Sequence, residues 1–183
     1  MSGELLSSQL ADVCNILCPA PVIGDRVLYV TCSEQPDAHP DVVARRAIDG
    51  EFLWSARLSG NLAMPLAAQG GSVFVATEKA VLALDAATGA VQWKVRSEDV
   101  GLVVGNNMAW ANGIVFALTE KVPDETYELR AFDAATGETL HVTRIERRSS
   151  HAVNLTVADG KVQVGYYSEH VDLVRSFRAS FAP

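Results

Sequence analysis

The sequence has little of what several common protein classes depend on. It holds three cysteines, Cys14, Cys18 and Cys32, which are too few and too unevenly spaced for a disulfide framework. No later pair of cysteines or histidines completes a tetrahedral metal site with Cys14 and Cys18. We therefore expect buried free thiols, no metal and no cofactor.

Long apolar runs and basic runs are also missing. No stretch reaches the roughly 18 consecutive apolar residues of a membrane span, and residues 1–4 lack the pattern of a signal peptide. Lysine and arginine number 15 against 22 acidic residues, for a formal net charge of −7. These features predict no membrane insertion, no nucleic-acid partner and a cytoplasmic location, or an extracytoplasmic one if the chain is a slice of a longer protein.

Motifs of common enzyme classes are absent as well. The sequence has no Gly-x-Ser-x-Gly elbow, phosphate-binding glycine-rich loop, His-Glu-x-x-His pair or Asp-x-Asp metal loop. Its four histidines lie in different repeats or loops. No enzyme class built on those motifs is therefore predicted.

What the sequence does hold is an internal repeat. Residues 83–93 and 131–141 share the pattern Ala-x-Asp-Ala-Ala-Thr-Gly, and a degenerate copy, residues 44–54, has Arg46 in the place of the aspartate. Each of the first two copies predicts a hairpin in which an aspartate bonds its own downstream backbone and a glycine accepts positive φ. The predicted turn residues are Asp85, Gly89, Asp133 and Gly137, and their role is structural.

A second shared signal precedes each hairpin. A small polar turn followed by an alternating strand begins at Gly24, Gly70, Asn112 and Asp159, with starts 46, 42 and 47 residues apart. Short strands repeated at this period are typical of propeller blades. We predict an all-β fold, a single β-propeller repeat domain over residues 1–183. Its four four-stranded blades lie at about 19–58, 62–97, 101–145 and 149–183.

The pattern Ala-x-Asp-x-x-Thr-Gly-x-x-x-Trp, complete over residues 83–93, resembles the tryptophan-docking motif of the PQQ-binding-like (quinoprotein dehydrogenase-like) β-propeller family. The resemblance implies that Trp54 and Trp93 pack against a neighbouring blade, with His141 in the same slot of the third repeat. The same resemblance extends to an outer-membrane assembly lipoprotein and to sensor domains of bacterial kinases. PQQ-dependent dehydrogenase activity is not expected, because the paired adjacent cysteines of those enzymes are missing.

The fourth repeat stops before its last strand, and residues 3–10 parallel residues 50–58, with Ser7 in the position of Trp54. We expect this N-terminal strand to close the last blade, as in other propellers. The resembled family builds rings of about seven or eight blades. Three arrangements remain open: a homodimer forming an eight-bladed ring, a slice completed by other sequence or a partner protein, and a compact four-bladed monomer.

Segments that enter the first strand of each blade line the axis in ring-shaped propellers. The residues of these segments that are able to recognise a polar ligand are Asn106, Asn107, Trp110, His151 and Asn154. We predict a non-catalytic binding or scaffold module that presents a rigid face to a protein or small ligand. The alternative is an enzyme acting on a small molecule at a composite site on the axis of a dimeric propeller.

Overall fold

The strands form four antiparallel sheets, each built from strands that follow one another in the chain. The computed structural model describes residues 22–24, 27–32, 41–60, 64–77, 79–121, 126–145, 153–158, 161–166 and 173–178. Sheet 1 has the order β1 (Val22–Gly24), β2 (Val27–Cys32), β3 (Asp41–Arg46) and β4 (Phe52–Arg57). Sheet 2 has the order β5 (Met64–Gln69), β6 (Ser72–Thr77), β7 (Ala80–Asp85) and β8 (Val91–Arg96).

The second half of the chain repeats this arrangement. Sheet 3 consists of β9 (Leu102–Ala111), β10 (Ile114–Lys121), β11 (Thr126–Asp133) and β12 (Thr139–Ile145). The described strands of sheet 4 are β13 (Val153–Ala158), β14 (Lys161–Tyr166) and β15 (Leu173–Arg178). The predicted all-β fold of antiparallel sheets is confirmed, whereas the predicted closing segment, residues 3–10, lies outside the described residues.

The part of the chain that the structure describes contains one helical turn, α1 (Ser97–Val100), directly after β8. No helix in those residues is long and apolar enough to span a membrane.

Burial along the strands follows the sequence pattern. The middle strands β6 and β7 are nearly continuous runs of apolar residues, and they are buried on both faces. The outer strands β4 and β8 share one pattern, in which a single tryptophan is buried among exposed or half-buried neighbours. These two residues are Trp54 and Trp93, each 8% exposed. In sheets 1 and 2 the outer strand therefore buries chiefly its indole.

The chain divides into two compact units, Met1–Lys94 and Val95–Pro183. In the first unit, sheets 1 and 2 pack against each other through one apolar cluster, and their first strands, β1 and β5, are in contact. The cluster consists of Val42, Ala44 and Trp54 from sheet 1, Leu58 directly after β4, and Val73, Val75, Ala80, Leu82 and Leu84 from sheet 2.

The second unit has the same construction. Sheets 3 and 4 share an apolar cluster, and their first strands, β9 and β13, lie side by side. The cluster consists of Ile114, Phe116, Leu118, Tyr127, Leu129, Ala131 and Ile145 from sheet 3 and Leu155, Val162 and Val164 from sheet 4. Within each unit, then, consecutive sheets stack face to face with their first strands adjacent.

Candidate functional site

Three hairpins end in turns of the same backbone geometry: turn 1 (residues 46–50), turn 2 (85–89) and turn 3 (133–137). In turn 2 the Asp85 N–H donates to the carbonyl of Ala90 and the Gly89 N–H donates to the carbonyl of Asp85, both at 2.8 Å. Turns 1 and 3 have the same pair of bonds at 2.8 Å. The glycine that ends each turn has φ between 74° and 75°, a conformation that favours glycine.

The aspartate of turn 2 is held by three donors from its own turn. Asp85 Oδ1 accepts the N–H of Ala87 at 3.1 Å and both the N–H and the hydroxyl of Thr88 at 2.8 Å. The Thr88 hydroxyl, followed by the two N–H groups, lowers the pKa of Asp85. Asp133 makes the same three bonds in turn 3, at 2.8 to 3.0 Å. The predicted turn chemistry is confirmed in both copies.

Turn 1 keeps this backbone with different side chains. Arg46 stands in the aspartate position, and its Nη1 donates to Asp49 Oδ2 at 2.8 Å and also contacts the Glu51 carboxylate. Asp49 Oδ1 accepts the Glu51 N–H at 3.1 Å, as the Thr88 hydroxyl accepts the Ala90 N–H at 3.3 Å. The acidic residue and the side-chain donor of the turn have therefore exchanged positions, a feature that the repeat pattern of the sequence did not predict.

Trp54 joins sheet 1 to sheet 2. Its Nε1–H donates to the Ala86 carbonyl of turn 2 at 3.0 Å. Its ring covers Gly89 so closely that a Cβ at residue 89 would lie 2.5 Å from Trp54 Cε3. Turn 2 is thus an indole seat formed by a glycine and a backbone carbonyl. The Ala-x-x-Gly part of the repeat supplies both groups.

The equivalent residues of the next two outer strands differ from each other. Trp93 is buried, and its ring centroid lies 6.0 Å from that of Phe74. His141 is exposed on β12, with Nε2 3.0 Å from the Thr143 hydroxyl. Inter-blade docking by Trp93 and by turn 3, with Asp133 and Gly137, stays a prediction.

The predicted axial residues lie on first strands. Asn106 and Asn107 belong to an irregular part of β9, because Met108 pairs with Ala117 and Val103 with Thr119, which leaves four residues of β9 opposite one of β10. Such β-bulges are frequent beside functional sites. Trp110 is half-buried at the regular end of β9, where it pairs with Val115.

Asn154 lies on β13 in register with Gly165. Because β9 and β13 are neighbours, the structure brings the strands of Asn106, Asn107, Trp110 and Asn154 together in one unit. His151 lies outside the described residues. Within the described ranges no three His, Cys, Asp or Glu side chains form a group that could hold a metal ion. Ligand binding by these residues stays a prediction.

The sequence analysis missed a buried ion pair on β11. Glu128 and Arg130 contact each other with side-chain exposures of 5% and 9%, and Arg144 Nε approaches Glu128 Oε1 at 3.8 Å. Arg130 Nε is buried without a hydrogen-bond partner. Opposite charges two residues apart in a strand share a face, and this spacing was the signal that could have revealed the pair.

Antiparallel meanders of four strands, stacked face to face with their first strands adjacent, define the blades of a β-propeller. The family model described as outer membrane protein assembly factor BamB matches residues 2–174. The chain therefore belongs to this family, which confirms the resemblance to PQQ-like propeller repeats. No curated protein matches the sequence.

Solved structures show the same fold. BamB from Moraxella catarrhalis is similar with a TM-score of 0.55 at 17% identity, over 86% of this chain and 45% of that one. A europium-containing methanol dehydrogenase is similar with a TM-score of 0.56 at 20% identity, over 69% of this chain and 24% of that one. The computationally designed Ika4 protein is similar with a TM-score of 0.60 at 15% identity, over 97% of this chain and 99% of that one. The chain thus spans about half of that BamB and nearly all of Ika4.

Proposed function

We propose that this chain is a non-catalytic, protein-binding module of outer membrane protein assembly, presenting propeller blades as a rigid surface. The observation that carries the proposal is the Trp54 joint, a hydrogen bond and a ring contact that hold sheet 1 on sheet 2 together with their shared apolar cluster. A surface fixed in advance loses little conformational entropy when a partner binds. The assembly of outer membrane proteins enters the proposal from the description of the family.

We further propose that another polypeptide completes the ring of blades. The 86% of this chain that matches the BamB structure covers 45% of it, which leaves room there for further blades. A second copy is the completion expected from the sequence, since closed two-fold symmetry is the commonest oligomeric arrangement.

Light scattering of the purified chain over a range of concentrations tests completion by a second copy. The expected result is a stable mass of twice 19.6 kDa. A mass of 19.6 kDa at every concentration rules out the homodimer and leaves a slice completed by other sequence or a partner protein, or a four-bladed monomer.

The binding role is tested with a fluorescently labelled, urea-unfolded outer-membrane β-barrel protein diluted into the purified chain. A saturable rise in anisotropy supports the proposal. Trp54→Ala, which removes the joint, should weaken the binding. A rise of the same size with a labelled, unfolded protein that is not an outer-membrane protein would show non-specific capture and contradict the assembly role.

A further inference from the structure

Sheet 4 has one apolar face and one polar face. Leu155, Val162 and Val164 lie in the apolar cluster that sheet 4 shares with sheet 3. Because successive residues of a strand belong to opposite faces, the residues between them lie on the other face, which we call the polar face. The register places there Thr156 of β13, Lys161, Gln163 and Gly165 of β14, and Ser176 and Arg178 of β15.

The equivalent face of sheet 3 is apolar. Lys161 and Gln163 follow their hairpin turn as Ile114 and Phe116 follow theirs. Ile114 is 7% exposed and Phe116 3% exposed, and both pack in the cluster shared with sheet 4. Lys161, in contrast, is exposed, and Gln163 is half-buried. An apolar blade stacked on the polar face would bury an ammonium and an amide without partners, which costs stability.

The polar face is also positively charged. Lys161 is in register with Arg178 of the neighbouring strand, and the described strands of sheet 4 contribute no acidic residue to this face. Like charges directly opposite each other in a sheet repel and destabilise the pair. A carboxylate laid against both residues would offset that repulsion. The polar face is therefore complementary in charge to an acidic surface.

We propose that the polar face of sheet 4 is the contact surface for an acidic face of a different polypeptide. Carboxylates of that partner would lie against Lys161 and Arg178, and its other polar groups would bond the hydroxyl of Thr156 and the amide of Gln163. The inference rests on the proposed protein-binding function and names the chemistry of one partner surface.

The composition of the stacked sheets favours a different polypeptide over a second copy of this chain. Where sheets stack within each unit, they do so through apolar clusters. A second copy that stacked a blade of this kind on the polar face would bring apolar side chains to Lys161 and Gln163. It would supply neither the carboxylates nor the hydrogen-bonding groups that the face requires.

The test titrates acetyl-Glu-Thr-Glu-Thr-Glu-amide into the full ¹⁵N-labelled chain and follows the amide chemical shifts. Saturable shifts at Lys161 and Gln163 are expected, whereas acetyl-Gln-Thr-Gln-Thr-Gln-amide, which lacks the charge, should leave both unchanged. Lys161→Gln, at an exposed position where a folding defect is not expected, should remove most of the shift at Gln163. The matched control is Lys79→Gln, which removes an exposed lysine between β6 and β7 and should keep the shifts.

The proposal is overturned if the acidic peptide leaves the polar face unshifted, since the face would then be the solvated outer face of a terminal repeat. Equal shifts with the glutamine peptide, or a full effect in Lys161→Gln, would also overturn it. Shifts along β14 that follow the protein concentration without peptide would assign the face to a second copy and contradict the proposal. The titration uses no outer-membrane protein and no measurement of mass, so its failure is distinct from failure of the proposed function.

Discussion

At the scale of single residues, glycines of similar backbone conformation have very different surroundings. Gly89 and Gly71 have φ of +74° and +80°. A Cβ at Gly89 meets three atoms of the Trp54 ring within 2.9 Å, whereas a Cβ at Gly71 meets nothing within 4 Å. The pair therefore separates the cost of backbone strain from the cost of losing an indole seat.

Gly89→Ala is expected to destabilise the protein more than Gly71→Ala. Both substitutions place alanine in the left-handed region, at about 1–2 kcal/mol, and only Gly89→Ala adds an overpacking cost of about 1–3 kcal/mol. Urea unfolding followed by tryptophan fluorescence measures the difference. Equal losses in the two variants would mean that the Trp54 contact contributes nothing to stability.

Acid should destabilise the turns. Donors within each turn hold the pKa of Asp85 and Asp133 below the ordinary value. A carboxylate with a lowered folded pKa contributes stability that is present above the unfolded pKa, about 3.9, and is lost as the pH falls through the folded pKa. Urea midpoints should therefore fall as the pH drops below about 4.

Asp85→Asn, which keeps an acceptor oxygen but no titratable charge, should flatten this acid dependence. Thr88→Val, which removes the hydroxyl donor, should flatten it as well. A variant with the wild-type slope between pH 5 and pH 2.5 would show that the turn carboxylate is not the titrating group.

At the scale of elements, local chemistry made the hairpins predictable. The Asp-x-x-Thr-Gly turns and alternating strands depend on residues within a few positions of one another, so sequence alone located them. Two features did not follow from it. The bulge opposite Leu118 arises from pairing between strands, and the placement of Asn106 and Asn107 depends on it. The Arg46–Asp49 exchange did not follow from the repeat pattern, because the pattern consists of residue identities whereas the turn is held by hydrogen bonds that other residues can also make.

The exchange in turn 1 predicts strong coupling between its two side chains. Arg46→Asp alone should destabilise the hairpin, because the new carboxylate would face the carboxylate of Asp49 at the place where turn 2 has the hydroxyl donor of Thr88. Asp49→Thr alone should also destabilise it, since Arg46 loses an ion pair. The double variant recreates the Asp-x-x-Thr of turn 2 and should recover most of the loss. Urea midpoints of all four proteins give the coupling, and additive losses would contradict it.

At the scale of the whole molecule, the sheets are repeated units whose free edges need cover. Sheets 1, 2 and 3 each have four strands, and sheet 4 has three described strands. An outer strand with unpaired N–H and carbonyl groups is a template for association with other chains. We propose that residues 3–10 cover the outer edge of β15, in this chain or in a neighbouring copy.

Deleting residues 3–10 is expected to lower solubility or disrupt the assembly, because β15 would lose its pairing strand. The matched control retains the length and composition of the segment but scrambles its order, so only the pairing pattern is lost. Light scattering and solubility of the three proteins decide the outcome. A deletion variant that behaves like the wild type would refute the closure.

The side-chain exchange in turn 1 also bears on how duplicated repeats diverge. Since each turn needs one donor and one acceptor three positions apart, whichever residue supplies each, a change at one position favours a compensating change at the other. A repeat that lacks the Asp and Thr of the pattern can therefore still be recognised by the hydrogen bonds of its turn, as turn 1 is beside turns 2 and 3.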